Sequence, residues 1–469
     1  MVTSVMMPTI DPLSNPWLQI YFPLASGEPS TPSKLALRHA LMSVAAYQRA
    51  CREGRSKQQD MRLGYQHEQE ASRILKSVLE CHLSTNQTID DKSTTLAAAL
   101  GLISVDIFGP RATDCSIHLN YARRIIDKHS DERPWGTNSL FGMLYQIFRC
   151  YEMVANTAKL AIEPSQPTLQ TPASRMHEDE VLSTTSEISD QFDGENEFEA
   201  DMTDGGCFIL DSSFGISKRT MSLLRQTIRY GSICSSYTGS ISSDISEALR
   251  TLYCSLYAIE DDPTDFFAPV SPGCIAPCSN TGIRSSIHLN NPGGASLPKL
   301  ISNELIENHQ WAFHYAVIIY FHRVIPKHYV PDLDDDADSP HRDNLYESLH
   351  GSISRKQGCQ SLIRKVWDRL ENIDCLTPPE IQLHRGNVLW PAFIAAAESV
   401  QVELRHRALI WFSKASKRGV GNIPRAKEVV MDVWRRVDRQ TSQECEPLDL
   451  GPVDWRVVMR ETGQSIMLT

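Results

Sequence analysis

The sequence has 469 residues, of which 41% are hydrophobic, 57 are acidic and 46 are basic, so its formal net charge is −11. This hydrophobic content is enough to bury a core, which excludes a disordered or collagen-like chain. The acidic excess argues against a dedicated nucleic-acid binder, because such proteins neutralise phosphates with an excess of Lys and Arg. It argues equally against a membrane-surface protein.

Targeting and redox features indicate an intracellular chain. The N-terminal 33 residues contain no Lys or Arg, so a secretory signal with a basic start is not expected. No apolar run approaches the roughly 18 residues that a bilayer-spanning helix needs. The 12 Cys are scattered through segments of helical pattern, where Cys behaves as a small buried hydrophobe. The sequence therefore predicts no disulfide framework.

Apolar residues recur at helical spacing along most of the chain. Pro32 and Ser33 can open and cap the first long helix. The stripes predicted to face the core are Leu37, Leu41 and Val44; Ile117, Tyr121, Ala122, Ile125 and Ile126; Ile245, Leu249, Leu252, Leu256 and Ile259; Leu362, Val366 and Leu370; and Ala426, Val429, Val430, Val433, Trp434 and Val437. Asn422 is placed to cap the last helix, with Pro424 in its first turn. Residues 311–325 are apolar on nearly every side, which predicts a central buried helix.

No comparable stretch alternates with period two, so the predicted fold is all-α, a helical array interrupted by long loops. Three segments break the helical pattern: 161–206, 261–298 and 331–344. The first contains twelve acidic residues and one basic residue, so its net charge equals that of the whole chain. We interpret it as a solvated linker. Two aromatic residues within it, Phe192 and Phe198, leave an activation-type segment open.

These breaks define the predicted organisation of the chain. Residues 1–14 are expected to form a flexible N terminus, and residues 15–160 the first half of a helical domain. The acidic linker or loop covers 161–206, and the second helical half covers 207–469.

Motifs for catalysis and for metal or cofactor binding are sparse. Cys274 and Cys278 form the only close Cys pair, whereas a zinc cluster needs further thiolates within reach of one ion. The sequence contains no GxxxxGK[ST], GxGxxG or GxSxG motif. We therefore predict no catalytic, cofactor-binding or metal-binding residues, and no enzyme.

Two DDxxD runs, at 261–265 and 334–338, support the alternative from another functional class. In all-α enzymes that act on prenyl diphosphates (terpene-type enzymes), such aspartates hold magnesium, which requires them on one rigid helix face. Pro263 interrupts the first run, and Pro331 and Pro340 flank the second. Solvated loop charge is the favoured interpretation.

Histidines and a basic cluster are the remaining polar candidates. Four histidines lie on predicted helical faces: His39, His118, His314 and His322. We interpret them as satisfied core or surface residues, because His314 and His322 are eight residues apart rather than the four of a helical metal pair. The basic cluster consists of Lys414, Lys417, Arg418, Arg425 and Lys427. It is interpreted as a solvated helix face, with a nuclear-import or anion patch as the alternative.

A series of segments resembles, in order, the fungal-specific transcription factor domain. They begin with NPWLQIYFPLA and LALRHALMSVAAYQ and continue through 94–108 (TTLAAALGLISVDIF), 116–126 (SIHLNYARRII), 211–224 (DSSFGISKRTMSLL), 311–325 (WAFHYAVIIYFHRVI), 389–398 (LWPAFIAAAE), 419–434 (GVGNIPRAKEVVMDVW) and 454–459 (DWRVVM). Each is mostly an apolar pattern, and their number and order make the resemblance specific. It extends from about Asn15 to Leu468.

The resemblance implies a nuclear transcriptional regulator whose work is conformational. In that family the helical region usually follows a Zn₂Cys₆ DNA-binding cluster, and here it begins about fifteen residues from the start. Direct DNA binding by this chain is therefore in doubt: either it acts through partners, or an upstream segment carries the cluster.

The implied partners are proteins of the transcription machinery or a DNA-binding partner, with a small-molecule effector and a homo-oligomer left open and no membrane. The resemblance also suggests control of a metabolic or secondary-metabolite gene cluster.

Overall fold

The computed structural model describes residues 15–52, 57–81, 89–110, 115–129, 139–159, 208–236, 241–258, 296–326, 329, 355–376, 388–442 and 453–469. Every regular element in these ranges is a helix, which confirms the predicted all-α fold. None of the described helices is long and apolar enough to cross a membrane. The acidic run 161–206, the loop 331–344 and nearly all of 261–298 lie outside the described residues, so the predicted linker and loops stay predictions.

The helices of the first half follow in order: a π-helical turn Trp17–Tyr21 that continues into α1 Phe22–Ala25, then α2 Pro32–Cys51, α3 Lys57–Cys81, α4 Ile89–Phe108, α5 Ser116–Asp127 and α6 Leu140–Thr157. Those of the second half are α7 Leu210–Ser213, α8 Lys218–Ser236, α9 Ser243–Tyr257, α10 Ser296–Val324, α11 Arg355–Leu376, α12 Leu389–Ala397, α13 Val402–Ser416, α14 Asn422–Ser442 and α15 Trp455–Glu461.

Helix α4 is the centre of the first half. All residues from Ser93 to Gly109 are buried, and α2, α3, α5 and α6 pack around it. Small residues set the distance to α2, since a Cβ added to Gly101 would lie only 3.2 Å from the Cβ of Ala40. The absence of bulk at this crossing lets the two helices approach closely.

Helix α10 is the centre of the second half, as its uniform apolarity predicts. All residues from Trp311 to Phe321 are buried, and α8, α11 and α12 pack against it. The ring of Phe313 stacks on that of Trp390, with centroids 5.9 Å apart. The other tryptophan on the predicted core stripes, Trp434, is also buried.

The two halves share one hydrophobic core. Helix α6 packs on α7 and α8, and α14 packs on α4. The α4–α14 contact is very close, because a Cβ added to Gly421 would lie 2.1 Å from the carbonyl oxygen of Gly109. Residues far apart in sequence therefore stabilise each other.

Two predicted helix caps are wrong. Thr31 caps α2 by accepting from the Lys34 N–H at 3.3 Å, whereas Ser33 is buried and hydrogen bonds Thr95 of α4 at 2.8 Å. Asn422 lies at the first position of α14, and its side-chain amide donates to the carbonyls of Met467 and Thr469. Both side chains are buried and hydrogen bond groups distant in sequence, rather than accepting from the first backbone N–H groups of their own helices.

Within the described residues, the predicted apolar stripes face the core with one clear exception; Ile259 lies outside these residues. On α5, Ile117 is 53% exposed, while the buried positions are Leu119, Ala122, Ile125 and Ile126. Since α4 and α6 contact one side of this short helix, Leu119 takes the inward position and Ile117 lies on the opposite face.

Candidate functional site

Three of the segments that resemble the family's motifs meet at one group of charged side chains, here called the ionic junction: Arg323, Glu398, Asp454 and Arg456. Arg323 comes from the C-terminal end of α10, and Glu398 directly follows α12. The Arg323 guanidinium donates two hydrogen bonds to the Glu398 carboxylate, one of them from Nε to Oε1 at 2.6 Å. The side chains are 13% and 12% exposed, so this is a largely buried bidentate pair.

The second pair of the junction forms at the start of α15. Asp454 caps this helix by accepting from the backbone N–H of Arg456 at 2.8 Å. The same carboxylate accepts from the Arg456 guanidinium at 2.7 Å. Burial alone would raise the pKa of Asp454, but the hydrogen bonds and charge of Arg456 hold that pKa below its usual value. Asp454 therefore stays ionised at neutral pH.

The two pairs are electrostatically coupled. Burial opposes the charge on Arg323, yet its pKa is raised because both Glu398 and Asp454 stabilise the guanidinium. The junction thus contains two cations and two anions that compensate one another. Breaking one side of a buried pair is costly, since it leaves a desolvated charge.

Beside the junction, buried side-chain hydrogen bonds link the two halves of the chain. The last residue of α6, Thr157, accepts a hydrogen bond at its carbonyl from Tyr320 Oη at 3.2 Å and one at its hydroxyl from Trp390 Nε1 at 3.0 Å. A second link is made by Gln146, whose side-chain oxygen accepts from the Ile209 N–H at 3.0 Å. Helices α6, α10 and α12 are therefore held in register by groups that water does not reach.

Three of the four predicted histidines have identified polar partners. The Nδ1 atom of His118 lies 2.7 Å from Asp106 Oδ2, and the Nε2 atom of His322 lies 2.7 Å from the Tyr257 hydroxyl. His39 lies across the α2–α3 contact from His67, with their Nδ1 atoms 2.8 Å apart. Their interpretation as satisfied residues is confirmed.

The fourth histidine, His314, is buried in the core on α10, and so is a neighbour that the sequence did not single out, His309. Burial lowers the pKa of each to about 4. His309 Nδ1 hydrogen bonds the carbonyl of Leu305 at 2.6 Å. Both imidazoles are therefore neutral at physiological pH.

The basic cluster is not a single solvated face. Lys414 and Arg418 both contact Asp374 of α11, at 3.4 and 3.3 Å. Arg425 donates to the carbonyl of Asp106 at 3.3 Å, and burial lowers its pKa. The interpretation as a solvated face is therefore wrong for Arg418 and Arg425, which stabilise packing between helices.

The described residues contain no group of three or more His, Cys, Asp or Glu side chains placed to hold a metal ion. The DDxxD runs at 261–265 and 334–338, and the pair Cys274 and Cys278, lie outside the described residues.

Sequence reasoning missed the ionic junction. The junction residues lie inside motifs that were read for their apolar pattern, and their pairing joins positions 75 residues apart. The one available signal was the position of charged residues at the ends of otherwise apolar segments.

Comparison with known proteins identifies a family and a distant relative. The model of the fungal specific transcription factor domain matches residues 2–469. A curated relative, Arginine metabolism regulation protein II of Saccharomyces cerevisiae, is 21% identical over 496 residues, covering 97% of this chain and 53% of the relative. The chain therefore spans about half the length of that relative. No solved structure matches.

The family model covers nearly every residue, and three of the segments that resemble the family's motifs meet at the ionic junction. The prediction from motif order is confirmed: the chain belongs to the family of the fungal specific transcription factor domain, whose members are transcriptional regulators.

Proposed function

We propose that this chain is the regulatory domain of a nuclear regulator of metabolic genes, and that it works by changing conformation rather than by catalysis. The ionic junction is the observation that carries the proposal. The Arg323–Glu398 pair joins α10 to the end of α12. The Asp454–Arg456 pair lies at the start of α15, and its carboxylate interacts electrostatically with Arg323. Such an arrangement transmits a shift of one helix to the others.

The junction supplies a means of switching. Arg323 is hydrogen bonded to Glu398 and is also stabilised by the charge of Asp454. A change of partner between these two carboxylates would move α10 relative to α15. An effector favours one arrangement only by the difference in its affinity for the two states.

The proposed target genes and promoter contact rest on separate support. The matched relative is named as a regulator of arginine metabolism, which favours metabolic genes as targets of this chain. A net charge of −11 disfavours direct contact with DNA phosphates. We therefore assign promoter contact to a DNA-binding partner, to the transcription machinery or to a segment outside this chain.

A reporter assay tests the proposal. The full chain is fused to a foreign DNA-binding domain, and expression from a reporter with matching sites is measured with arginine, ammonium or other nutrients supplied. We expect expression to differ from that of the DNA-binding domain alone and to change by about fivefold or more between nutrients, a typical strength of allosteric coupling.

The double variant Arg323→Met/Glu398→Met removes the junction pair without leaving a buried charge, and we expect it to lose the response to nutrients. Arg364→Met/Glu403→Met, which removes an exposed pair between α11 and α13, serves as the matched control and should retain the response. Equal expression from the fusion and the DNA-binding domain under all nutrients would contradict the proposal.

Localisation is tested separately with a fluorescent fusion of the full chain in a fungal cell. The proposal expects nuclear signal, with import carried by the chain or by its partner. Exclusion from the nucleus under every nutrient would contradict the nuclear assignment.

A further inference from the structure

The N-terminal part of helix α3, residues 57–67, is held on α2 mainly by polar contacts. Its buried residues are Asp60 and Gly64. The Arg49 guanidinium of α2 lies 2.6 Å from the Asp60 carboxylate, and the Ser43 hydroxyl donates to the Gly64 carbonyl at 2.8 Å. The buried apolar residues of α3 all follow this segment: Ala71, Ile74, Leu75 and Val78. Residues 57–67 therefore depend on polar partners for their place on α2.

At the end of this segment, His67 meets His39 of α2 head-on. Their Nδ1 atoms are 2.8 Å apart, and their ring centroids are 5.0 Å apart. The centroid separation exceeds the Nδ1–Nδ1 distance by about twice the distance from a ring nitrogen to its centroid, so the two nitrogens point at each other. One ring donates through Nδ1–H, and the other accepts with the lone pair of its Nδ1 atom. We call these two residues the histidine pair.

The histidine pair keeps its contact only up to a defined number of protons. Two neutral imidazoles satisfy it when one carries its proton on Nδ1 and the other on Nε2. A proton added at the Nε2 atom of the donating ring leaves the contact intact. A second added proton can bind only at the accepting Nδ1 atom, where it places two N–H groups and two positive charges head-on. The closed pair therefore excludes the doubly charged state.

The charges that act on the histidine pair come from α2 and α3. Burial lowers the pKa of both histidines, and the charge of His39 lowers the pKa of His67 further. Glu70 favours the charged form of His39 and Arg38 disfavours it. The Glu70 carboxylate is already bound by two hydrogen bonds from Arg73, at 2.6 and 3.0 Å. The described residues of α4, which packs on both helices, add no charge to the pair.

We propose that the histidine pair makes the α2–α3 contact sensitive to pH: it holds residues 57–67 on α2 at neutral pH and releases them when both rings are protonated. The apolar residues from Ala71 onward keep the rest of α3 in place. The released segment unfolds, because a short helical segment without tertiary partners is unstable in water. This inference concerns the first half of the chain and does not depend on the proposed regulatory function.

The expected size of the effect follows from proton linkage. In the released segment each histidine binds a proton with the ordinary pKa of about 6.5, whereas the closed pair excludes the second proton. The folded pKa is lowered, so the stabilisation is complete above pH 6.5 and is lost as the pH falls. Exclusion of one proton raises the opening equilibrium about tenfold between pH 7.5 and 5.5.

Hydrogen exchange with mass spectrometry on the full chain, at pH 7.5 and 5.5, tests the proposal. After correction for the intrinsic pH dependence of exchange, the opening equilibrium of peptides within 57–67 should rise about tenfold on acidification. Peptides from 71–81 and from the buried helix α4 should change by less than about twofold. A rise of less than about twofold within 57–67 overturns the proposal.

A double variant separates protonation of the histidine pair from other effects of acid. His39→Gln/His67→Gln keeps side chains that hydrogen bond but do not titrate, so the opening equilibrium of 57–67 should be the same at both pH values. His406→Gln, at an exposed position on α13, is the matched control and should retain the rise. Thermal midpoints verify that the variants fold. A double variant that retains the rise overturns the proposal, whatever its exchange at pH 7.5.

A single variant tests whether the pairing itself excludes the second proton. In His67→Gln, a protonated His39 can donate to the amide oxygen, so the contact tolerates the charge. The rise within 57–67 should then fall below about threefold although one histidine of the pair remains. A rise that stays near tenfold in this variant overturns the assignment to the pair.

Discussion

At Gly421 the absence of a side chain determines how closely the two halves of the domain approach. The residue lies where the loop before α14 meets the end of α4, directly against the carbonyls of Phe108 and Gly109. Gly215 has a similar role with a positive φ of 69°, since a Cβ there would lie 2.3 Å from that of His309. At both positions the neighbouring group is fixed by packing and cannot move aside easily.

Gly421→Ala should lower the free energy of unfolding by about 2–4 kcal/mol, because the added methyl group forces α4 and α14 apart. Urea denaturation followed by circular dichroism measures the change. Gly358→Ala is the control: nothing lies within 4 Å of a Cβ at this helical position, so it should be neutral or stabilising by up to about 1 kcal/mol. A loss below about 0.5 kcal/mol for Gly421→Ala would contradict the close contact.

Burial of His309 makes the unfolding free energy depend on pH. Its pKa is about 4 in the folded state because the ring is buried, and about 6.5 in the unfolded chain. The unfolded state therefore binds more protons between these values, so the stabilisation is complete above pH 6.5 and is lost as the pH falls toward 4. Above pH 6.5 this one residue contributes about 2–3 kcal/mol to the free energy of unfolding.

The measurement is the unfolding free energy as a function of pH for the original chain and for His309→Leu. The unfolding free energy of the variant should fall less steeply between pH 6.5 and 4 than that of the original chain, whatever its stability at neutral pH. His406→Leu, at an exposed position, is the control and should keep the original slope. Equal slopes for His309→Leu and the original chain would mean that His309 is not held neutral by burial.

At the scale of helices, the junction and the caps show that polar residues hold these elements in register. Arg323 at the end of α10 is paired with Glu398 at the end of α12, so α10 and α12 cannot slide without separating two buried charges. Thr31 and Asp454 satisfy backbone N–H groups at the starts of α2 and α15. The apolar stripes provide most of the burial, and these contacts select one arrangement of the stripes.

Arg323→Met should destabilise the chain by about 3–5 kcal/mol, since it leaves the Glu398 carboxylate buried without its partner. Arg323→Met/Glu398→Met should recover most of that loss, because no charge is then left desolvated. Chemical denaturation of the original chain, of these two variants and of Glu398→Met gives the four unfolding free energies of a double-mutant cycle. Additive effects of the two substitutions would show that the pair is not coupled.

At the scale of the whole molecule, the chain folds around one core although its most acidic segment lies in the middle. Helix α6 ends at Thr157, whose hydrogen bonds to Tyr320 and Trp390 join the first half to the second. Contacts of α6 with α8, and of α4 with α14, add apolar burial to these bonds. Covalent continuity through 161–206 is therefore not needed to hold the halves together.

Limited proteolysis should cut first between residues 161 and 206, where the sequence is acidic and poor in apolar residues. The two fragments should elute together on size exclusion at the position of the uncut chain and separate only in denaturant. Uncut chain carried through the same incubation is the control. Fragments that separate without denaturant would contradict a shared core, and resistance to cutting would contradict the linker prediction.

The sequence was most informative where its signal is local. Apolar spacing placed the helices, and the uniform apolarity of 311–325 correctly predicted the buried centre of the second half. It failed for Ile117, because spacing alone does not decide which of two neighbouring apolar residues faces a partner helix. It also failed for Ser33 and Asn422, whose side chains hydrogen bond residues distant in sequence instead of capping their own helices.

The sequence by itself determined the all-α fold and, through the order of its motifs, the family, since helix formation and apolar patterning act over a few residues. Only the tertiary structure decided that Arg323, Glu398, Asp454 and Arg456 form one junction, and that His39 and His67 meet across α2 and α3. Both outcomes depend on which helices become neighbours, because pairing is a property of the packed molecule rather than of any segment within it.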